Sequence, residues 1–140
     1  MKRTASAVWQ GTLKEGQGSL TTQSGVFNNT PYSFRSRFGD GKETNPEELI
    51  AAAHSGCFTM ALSLFLGEAG FTPEKLETKA TLTLDESKLA ITTIHLELSG
   101  KVPGIDAAKF EEIANQAKAN CPVSKVLNAE ISLTTTLVEG

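Results

Sequence analysis

The sequence predicts an α+β fold in which antiparallel sheet and helices are segregated along the chain. Two observations carry this. Both ends of the chain alternate apolar and polar residues with period two, as half-buried strands do. Between them lies one long run, opened by Asn45-Pro46 and closed by Gly70, that reads as a helix. With shorter helices in the second half, the order is βββ-α-ββ-αα-β.

Residues 4–10 set Ala5, Ala7 and Trp9 against Thr4, Ser6 and Val8, which makes a first strand. Glu15-Gly16-Gln17-Gly18 is a turn signal, and residues 18–24 form a second strand. After the turn Asn28-Asn29-Thr30-Pro31, the residues Tyr32, Phe34 and Phe38 alternate with Ser33, Arg35 and Arg37. A third strand is expected there, with both arginines on one face. Short connections make these three strands an antiparallel meander.

Asn45 suits an N-cap, Pro46 the first helical position and Glu48 the acid of a capping box. Glu47 and Glu48 also favour the positive end of the helix dipole. The helix is expected to run to about Ala69 and to stop at Gly70. From Leu49 to Leu66 it carries few charges on any face, so it is expected to be a long, buried central helix. His54, Ser55, Gly56, Thr59 and Ser63 interrupt the run and argue against a membrane span. A chain of 140 residues can hardly wrap such a helix alone, which calls for a second subunit over part of it.

In the second half, Ala80, Leu82 and Leu84 alternate with Lys79, Thr81 and Thr83. Asp85-Glu86-Ser87-Lys88 turns the chain into a long strand carrying Ile94, Leu96 and Leu98, ended by Pro103-Gly104. Asp106 can cap a helix with Phe110, Ile113, Ala114 and Ala117 at helical spacing. Asn120-Cys121-Pro122 restarts the chain as a short helix to about Leu127, and the last strand alternates Ile131, Leu133, Thr135 and Leu137.

Composition narrows the function. The chain is 39% hydrophobic and 21% charged, as one folded domain over residues 1–140 should be. A net charge of −3 argues against a dedicated partner among nucleic acids or anionic membranes. Met1 to Ala7 lacks the apolar run of a secretory signal, so a cytoplasmic location with reduced thiols is expected.

The two cysteines, Cys57 and Cys121, form no C-x-x-C pair, which excludes a disulfide scaffold and a zinc finger. Cys121 stands at a helix start, where unpaired N–H groups and the dipole favour a thiolate. It reads equally as a small buried apolar residue. Cys57 sits mid-helix among apolar neighbours, where burial raises a thiol's pKa, so it becomes reactive only beside a cation. Arginine is the natural one, and the chain has three: Arg3, Arg35 and Arg37. The plainer reading of the last two is a solvated strand face. His54 shares a helix face with Cys57. That permits a Cys–His nucleophilic pair, set against a core histidine with a local hydrogen bond. His54, Cys57, Cys121 and His95 contain metal-ligand types, but no ligand spacing supports a metal site. Glu47 and Glu48 both read as capping charges.

Thr44-Asn45-Pro46-Glu47-Glu48-Leu49, followed by Ala52-Ala53-His54-Ser55-Gly56-Cys57-Phe58, resembles the OsmC/Ohr family of organic hydroperoxide reductases. Asn120-Cys121-Pro122-Val123-Ser124 is similar to the family's second cysteine motif, and Pro31-Tyr32 through Ser36-Arg37-Phe38 resembles its OsmC branch. The resemblance implies an OsmC/Ohr-like fold in an intertwined homodimer. It implies a thiol peroxidase of oxidative and osmotic stress defence, with organic hydroperoxides as substrates and hydrogen peroxide as a further candidate. Cys57 would be the peroxidatic thiolate and Cys121 the resolving thiol that condenses with it into a disulfide. Arg37 would stabilise the thiolate and Glu47 orient an arginine. No cofactor is implied, only an external dithiol reductant such as a lipoyl group. Residues 11–25 contain no arginine, unlike the first hairpin of the Ohr branch.

One consequence is geometric. Glu47 and Cys57 are ten residues apart on one helix, about 15 Å along its axis. Glu47 therefore cannot serve the cysteine of its own chain, and the active sites are expected at the subunit interface. An antiparallel helix pair with residue 47 beside the partner's residue 57 has its two-fold axis near residue 52, within Ala51-Ala52-Ala53. A non-catalytic dimeric module binding an apolar ligand and a Cys–His hydrolase are the competing classes.

Overall fold

A computed structural model describes residues 1–38 and 41–139. The chain divides into two compact units, residues 1–49 and residues 50 onward.

The first unit holds an antiparallel sheet in the order β1 (Ala5–Gln10), β2 (Gln17–Thr22), β3 (Thr30–Tyr32). Gly18 of β2 pairs with Trp9 on one side and Tyr32 on the other. The two rings meet edge to face across it, 5.6 Å apart. A Cβ at Gly18 would come within 2.5 Å of Tyr32 and 2.6 Å of Trp9, so the ring contact depends on glycine.

The expected third strand stops at Tyr32, and residues 34–38 form a short helix, α1 (Phe34–Phe38). The cause is local. Ser33 Oγ accepts the Ser36 N–H at 3.3 Å. Ser36 Oγ lies 2.8 Å from the Ser33 carbonyl and 2.7 Å from that of Thr44. Serine side chains bonding to nearby backbone offer an alternative to a strand ladder, and here they override the alternation. Arg35 and Arg37 therefore do not share a face: two positions along a helix are about 200° apart.

α2 (Pro46–Glu68) starts as expected, with the Glu48 N–H donating to Asn45 Oδ1 at 2.8 Å. Glu48 Oε2 accepts from the Thr44 hydroxyl at 2.8 Å, so this acid serves the helix start. Gly70, at φ +90°, ends it, and the Phe71 N–H donates back to Leu66 O at 2.8 Å.

The second unit holds β4 (Lys75–Asp85), β5 (Ala90–Lys101) and β6 (Glu130–Leu137) in that order. β4 and β5 are antiparallel, but β5 and β6 are parallel, which corrects the expectation of purely antiparallel sheet. Between β5 and β6 run α3 (Ala107–Asn120) and α4 (Pro122–Val126). A helical crossover returns the chain in the same direction, whereas a hairpin would reverse it. Asp106 caps α3 by accepting the Lys109 N–H at 2.7 Å.

The core joins Phe58, Leu62 and Leu66 of α2 to Ile94, Leu96 and Leu98 of β5 and to Phe110, Ile113, Ala114 and Ala117 of α3. α2 buries one stripe, His54, Phe58, Leu62 and Leu66, at four-residue spacing. Its other side stays open in the single chain: Ala53 and Gly56 are exposed, Met60 is 76% exposed and Leu64 58%. Within the single chain, the helix is thus buried on one face.

Candidate active site

The two cysteines meet. Cys57 projects from the middle of α2, and Cys121 forms the corner between α3 and α4. The Cys121 N–H donates to Ala117 O at 2.9 Å, closing α3, and its carbonyl accepts the Lys125 N–H at 3.1 Å, opening α4. Pro122 forces the preceding residue out of helical geometry, and Cys121 sits at φ −60°, ψ 126°. The sequence Asn120-Cys121-Pro122 thereby turns the chain and aims the thiol into the core. Cys121 is fully buried and Cys57 half-buried; both are free thiols, with their sulfurs 2.9 Å apart.

Burial pushes the Cys57 thiol above its ordinary pKa, and the neighbouring Cys121 thiol adds to this. The Val123 backbone N–H acts in the opposite sense and is the weaker influence. As placed, Cys57 favours the neutral thiol. A neighbouring cation is one means of lowering such a thiol's pKa.

A second contact runs beside the sulfur pair. His54 precedes Cys57 by three residues on α2, and Ser124 follows Cys121 by three residues on α4. His54 Nε2 and Ser124 Oγ are 2.7 Å apart. His54 is fully buried, and desolvation holds its pKa below the ordinary histidine value. Its Nδ1 has no hydrogen-bond partner among the described residues. The imidazole is thus engaged with Ser124, and the arrangement joins Cys57 to Cys121 and His54 to Ser124 as two adjacent rungs. Ser124 is the residue that sequence reasoning missed. The matching three-residue spacings in the two motifs were the available signal. His95 lies elsewhere, on the opposite face of β5 from Ile94 and Leu96, with Nδ1 2.6 Å from Ser132 Oγ and Nε2 3.0 Å from Thr134 Oγ1. The four metal-ligand types noted in the sequence are therefore not gathered at one place.

In the first unit, Arg37 Nε pairs with Glu47 Oε1 at 2.8 Å. Glu47 Oε2 is buried without a hydrogen-bond partner among the described residues. The Arg37 guanidinium carbon lies 5.9 Å from the centre of the Phe38 ring. A hollow of about 250 Å³ beside this pair is lined by Trp9, Leu13, Tyr32, Phe34, Arg37 and Pro46. Arg35 borders a different, more polar hollow with Lys14, Glu15, Glu43 and Asn29. The two arginines thus serve different surfaces, and the one paired with a carboxylate faces the apolar hollow. Glu47 stands in the first turn of α2, where the dipole favours its charge.

A model of the OsmC-like protein family matches residues 39–136. The chain is 56% identical over 129 residues to Peroxiredoxin OsmC of Escherichia coli K12, covering 91% of this chain and 90% of the relative. It is 35% identical over 106 residues to the organic hydroperoxide resistance protein OhrA of Bacillus subtilis, covering 70% of each. Among solved structures, that of the organic hydroperoxide resistance protein OhrB of Bacillus subtilis is 28% identical, with a TM-score of 0.65 over 95% of this chain and 98% of that one. An OsmC-like protein from Vibrio cholerae superposes with a TM-score of 0.79 over 97% of this chain and 99% of its own. At 15% identity, that likeness speaks to the fold alone.

Proposed function

Because the chain belongs to the OsmC-like protein family, we propose that it is a peroxiredoxin-like enzyme that reduces organic hydroperoxides through Cys57 and Cys121. The observation that carries this reading is the approach of two free thiols to 2.9 Å from motifs 64 residues apart. The relatives named for peroxiredoxin activity and organic hydroperoxide resistance support the same substrate class.

Cys57 attacks one peroxide oxygen as the thiolate. The S–O bond forms, the O–O bond breaks, and the alkoxide leaves and takes a proton to become the alcohol. Cys57 is then a sulfenic acid. Cys121 attacks the Cys57 sulfur; the S–S bond forms, the S–O bond breaks, and hydroxide leaves with the Cys121 proton as water. The sum is two thiols and a hydroperoxide giving a disulfide, an alcohol and water. An external dithiol, such as a lipoyl group, returns the disulfide to thiols by exchange. The chain's own residues suffice for this chemistry, without a cofactor.

Burial raises the Cys57 pKa, so a nearby cation would favour its thiolate. Arg37 supplies it, and Glu47 holds the guanidinium through the Nε contact, leaving the remaining donors for the thiolate and the developing oxyanion. Glu47 is ten positions from Cys57 along α2, about 15 Å, so the pair serves the cysteine of a second subunit. The 1–140 chain acts as one domain of a cytoplasmic homodimer, with the exposed face of α2 around Ala52, Ala53, Gly56 and Met60 turned to the partner. The apolar hollow beside Arg37 suits the organic part of the peroxide.

The test is stoichiometric. Cys57→Ser abolishes reduction of cumene hydroperoxide. Cys121→Ser consumes about one equivalent per chain and leaves a sulfenic acid at Cys57 that dimedone traps. Continued turnover by the Cys57→Ser protein would overturn the mechanism.

A further inference from the structure

We propose that His54 and Ser124 form a tether that holds Cys121 in register with Cys57, making both positioning residues for the disulfide-forming step. This rests on the reading of Cys57 as the peroxidatic and Cys121 as the resolving thiol.

α4 is poorly fixed by its own packing. It is five residues long and has no fully buried residue, and Val123 and Leu127 are only partly covered. Its backbone-to-backbone bonds are local: the Lys125 N–H to Cys121 O and the Leu127 N–H to Val123 O. Besides the contact of the Val123 N–H with the Cys57 thiol, the hydrogen bond between Ser124 Oγ and His54 Nε2 is the side-chain bond that ties α4 itself to α2 among the described residues. Its anchor is buried: His54 lies in the stripe that packs α2 on the core, one turn from Cys57.

Burying an imidazole is costly unless its polar atoms are bonded, and Nδ1 has no partner here. An apolar residue would serve plain packing better at this place. The Nε2 bond to Ser124 gives the histidine a role that packing does not. The spacing defines that role: the two rungs are three residues apart on each helix. If α4 slid or rolled against α2, the His54–Ser124 bond and the sulfur contact would be disturbed together.

The disulfide-forming step is sensitive to such movement. Cys121 must reach the Cys57 sulfur from 2.9 Å to a bond of about 2.05 Å, displacing hydroxide as it does. A misplacement of about 1 Å can slow a positioned reaction by about 100-fold. A sulfenic acid that waits is open to a second peroxide, which oxidises it irreversibly to the sulfinic acid.

The experiment separates the two steps in the full-length protein by rapid mixing with cumene hydroperoxide. Sulfenic acid is trapped with dimedone, and disulfide and sulfinic acid are counted by mass spectrometry. Ser124→Ala is expected to slow disulfide formation about 10-fold or more while slowing sulfenic-acid formation far less, and to increase sulfinic acid at Cys57. Ser124→Thr, which keeps the hydroxyl, restores disulfide formation. His54→Gln combined with Ser124→Ala is no slower than the worse single variant, as expected when both act through one bond. If His54→Gln fails to fold, the Ser124 pair of variants decides alone. Equal slowing of both steps, or Ser124→Ala and Ser124→Thr behaving alike, overturns the tether. If the unaltered protein forms no disulfide with peroxide, the reading of the two cysteines itself fails.

Discussion

Burial shifts two groups of this protein against their charged forms. Cys57 is a thiol whose burial favours the neutral form. His54 is a titratable group kept uncharged in a full burial. Its pKa lies below the ordinary value of 6.5 in the folded chain, so the unfolded chain binds a proton more readily. The stability contributed by the neutral ring is fully present above the unfolded pKa and is lost as pH falls through it. Urea unfolding at about pH 7.5 and about pH 5.5 is expected to show a larger loss on acidification for the unaltered chain than for His54→Gln, which has nothing to titrate there. Equal losses would mean that His54 is not held neutral. In the sequence, Cys121 is the better thiolate by local physics and Cys57 the inert one. The fold agrees with the second half of that argument, since burial and the Cys121 thiol both raise the Cys57 pKa.

At the scale of elements, local rules decided most boundaries. The Asn45-Pro46 start, the Gly70 stop and the Asp106 cap stand where their chemistry puts them. The exceptions have named causes. Ser33 and Ser36 convert an alternating stretch into α1, and the crossover through α3 and α4 makes β6 parallel to β5. The packing of α3 depends on Gly100 of β5, because a Cβ there would stand 2.5 Å from the Phe110 ring and 3.1 Å from Leu76. Phe110 is itself buried and cannot swing away. Gly100→Ala is expected to destabilise the protein by about 1–3 kcal/mol, read from the midpoint of urea unfolding at unchanged slope. An unchanged midpoint would show that the ring yields.

At the scale of the whole molecule, α2 has two unlike sides. It buries His54, Phe58, Leu62 and Leu66 within its own chain and leaves Met60 and Leu64 largely exposed on other faces. Ala52, Ala53 and Gly56 are exposed and small, which permits close approach of a second backbone. If the homodimer forms across this surface, a charge at its centre must be desolvated without a partner. Met60→Glu is then expected to shift sedimentation from twice the chain mass to the chain mass. Under the proposed function, in which Arg37 and Glu47 of one chain serve Cys57 of the other, peroxidase turnover is expected to fall with it. A Met60→Glu protein that sediments as a dimer would place the interface elsewhere.

The sequence by itself determined what short-range physics controls: the caps, the stops, the alternating strands, the apolar stripe of α3 and the cysteine motifs that carry the family resemblance. It could also exclude a common site for Glu47 and Cys57 of one chain, since helical rise is fixed. Tertiary structure decided the rest. It brought Cys57 to Cys121, joined His54 to Ser124, paired Arg37 with Glu47 and sent Arg35 to a different surface. These are contacts across long loops or across a helix that replaced a strand. Their formation depends on where the core packs α2 and on which backbone bonds win at Ser33 and Ser36, and neither is encoded at any single position.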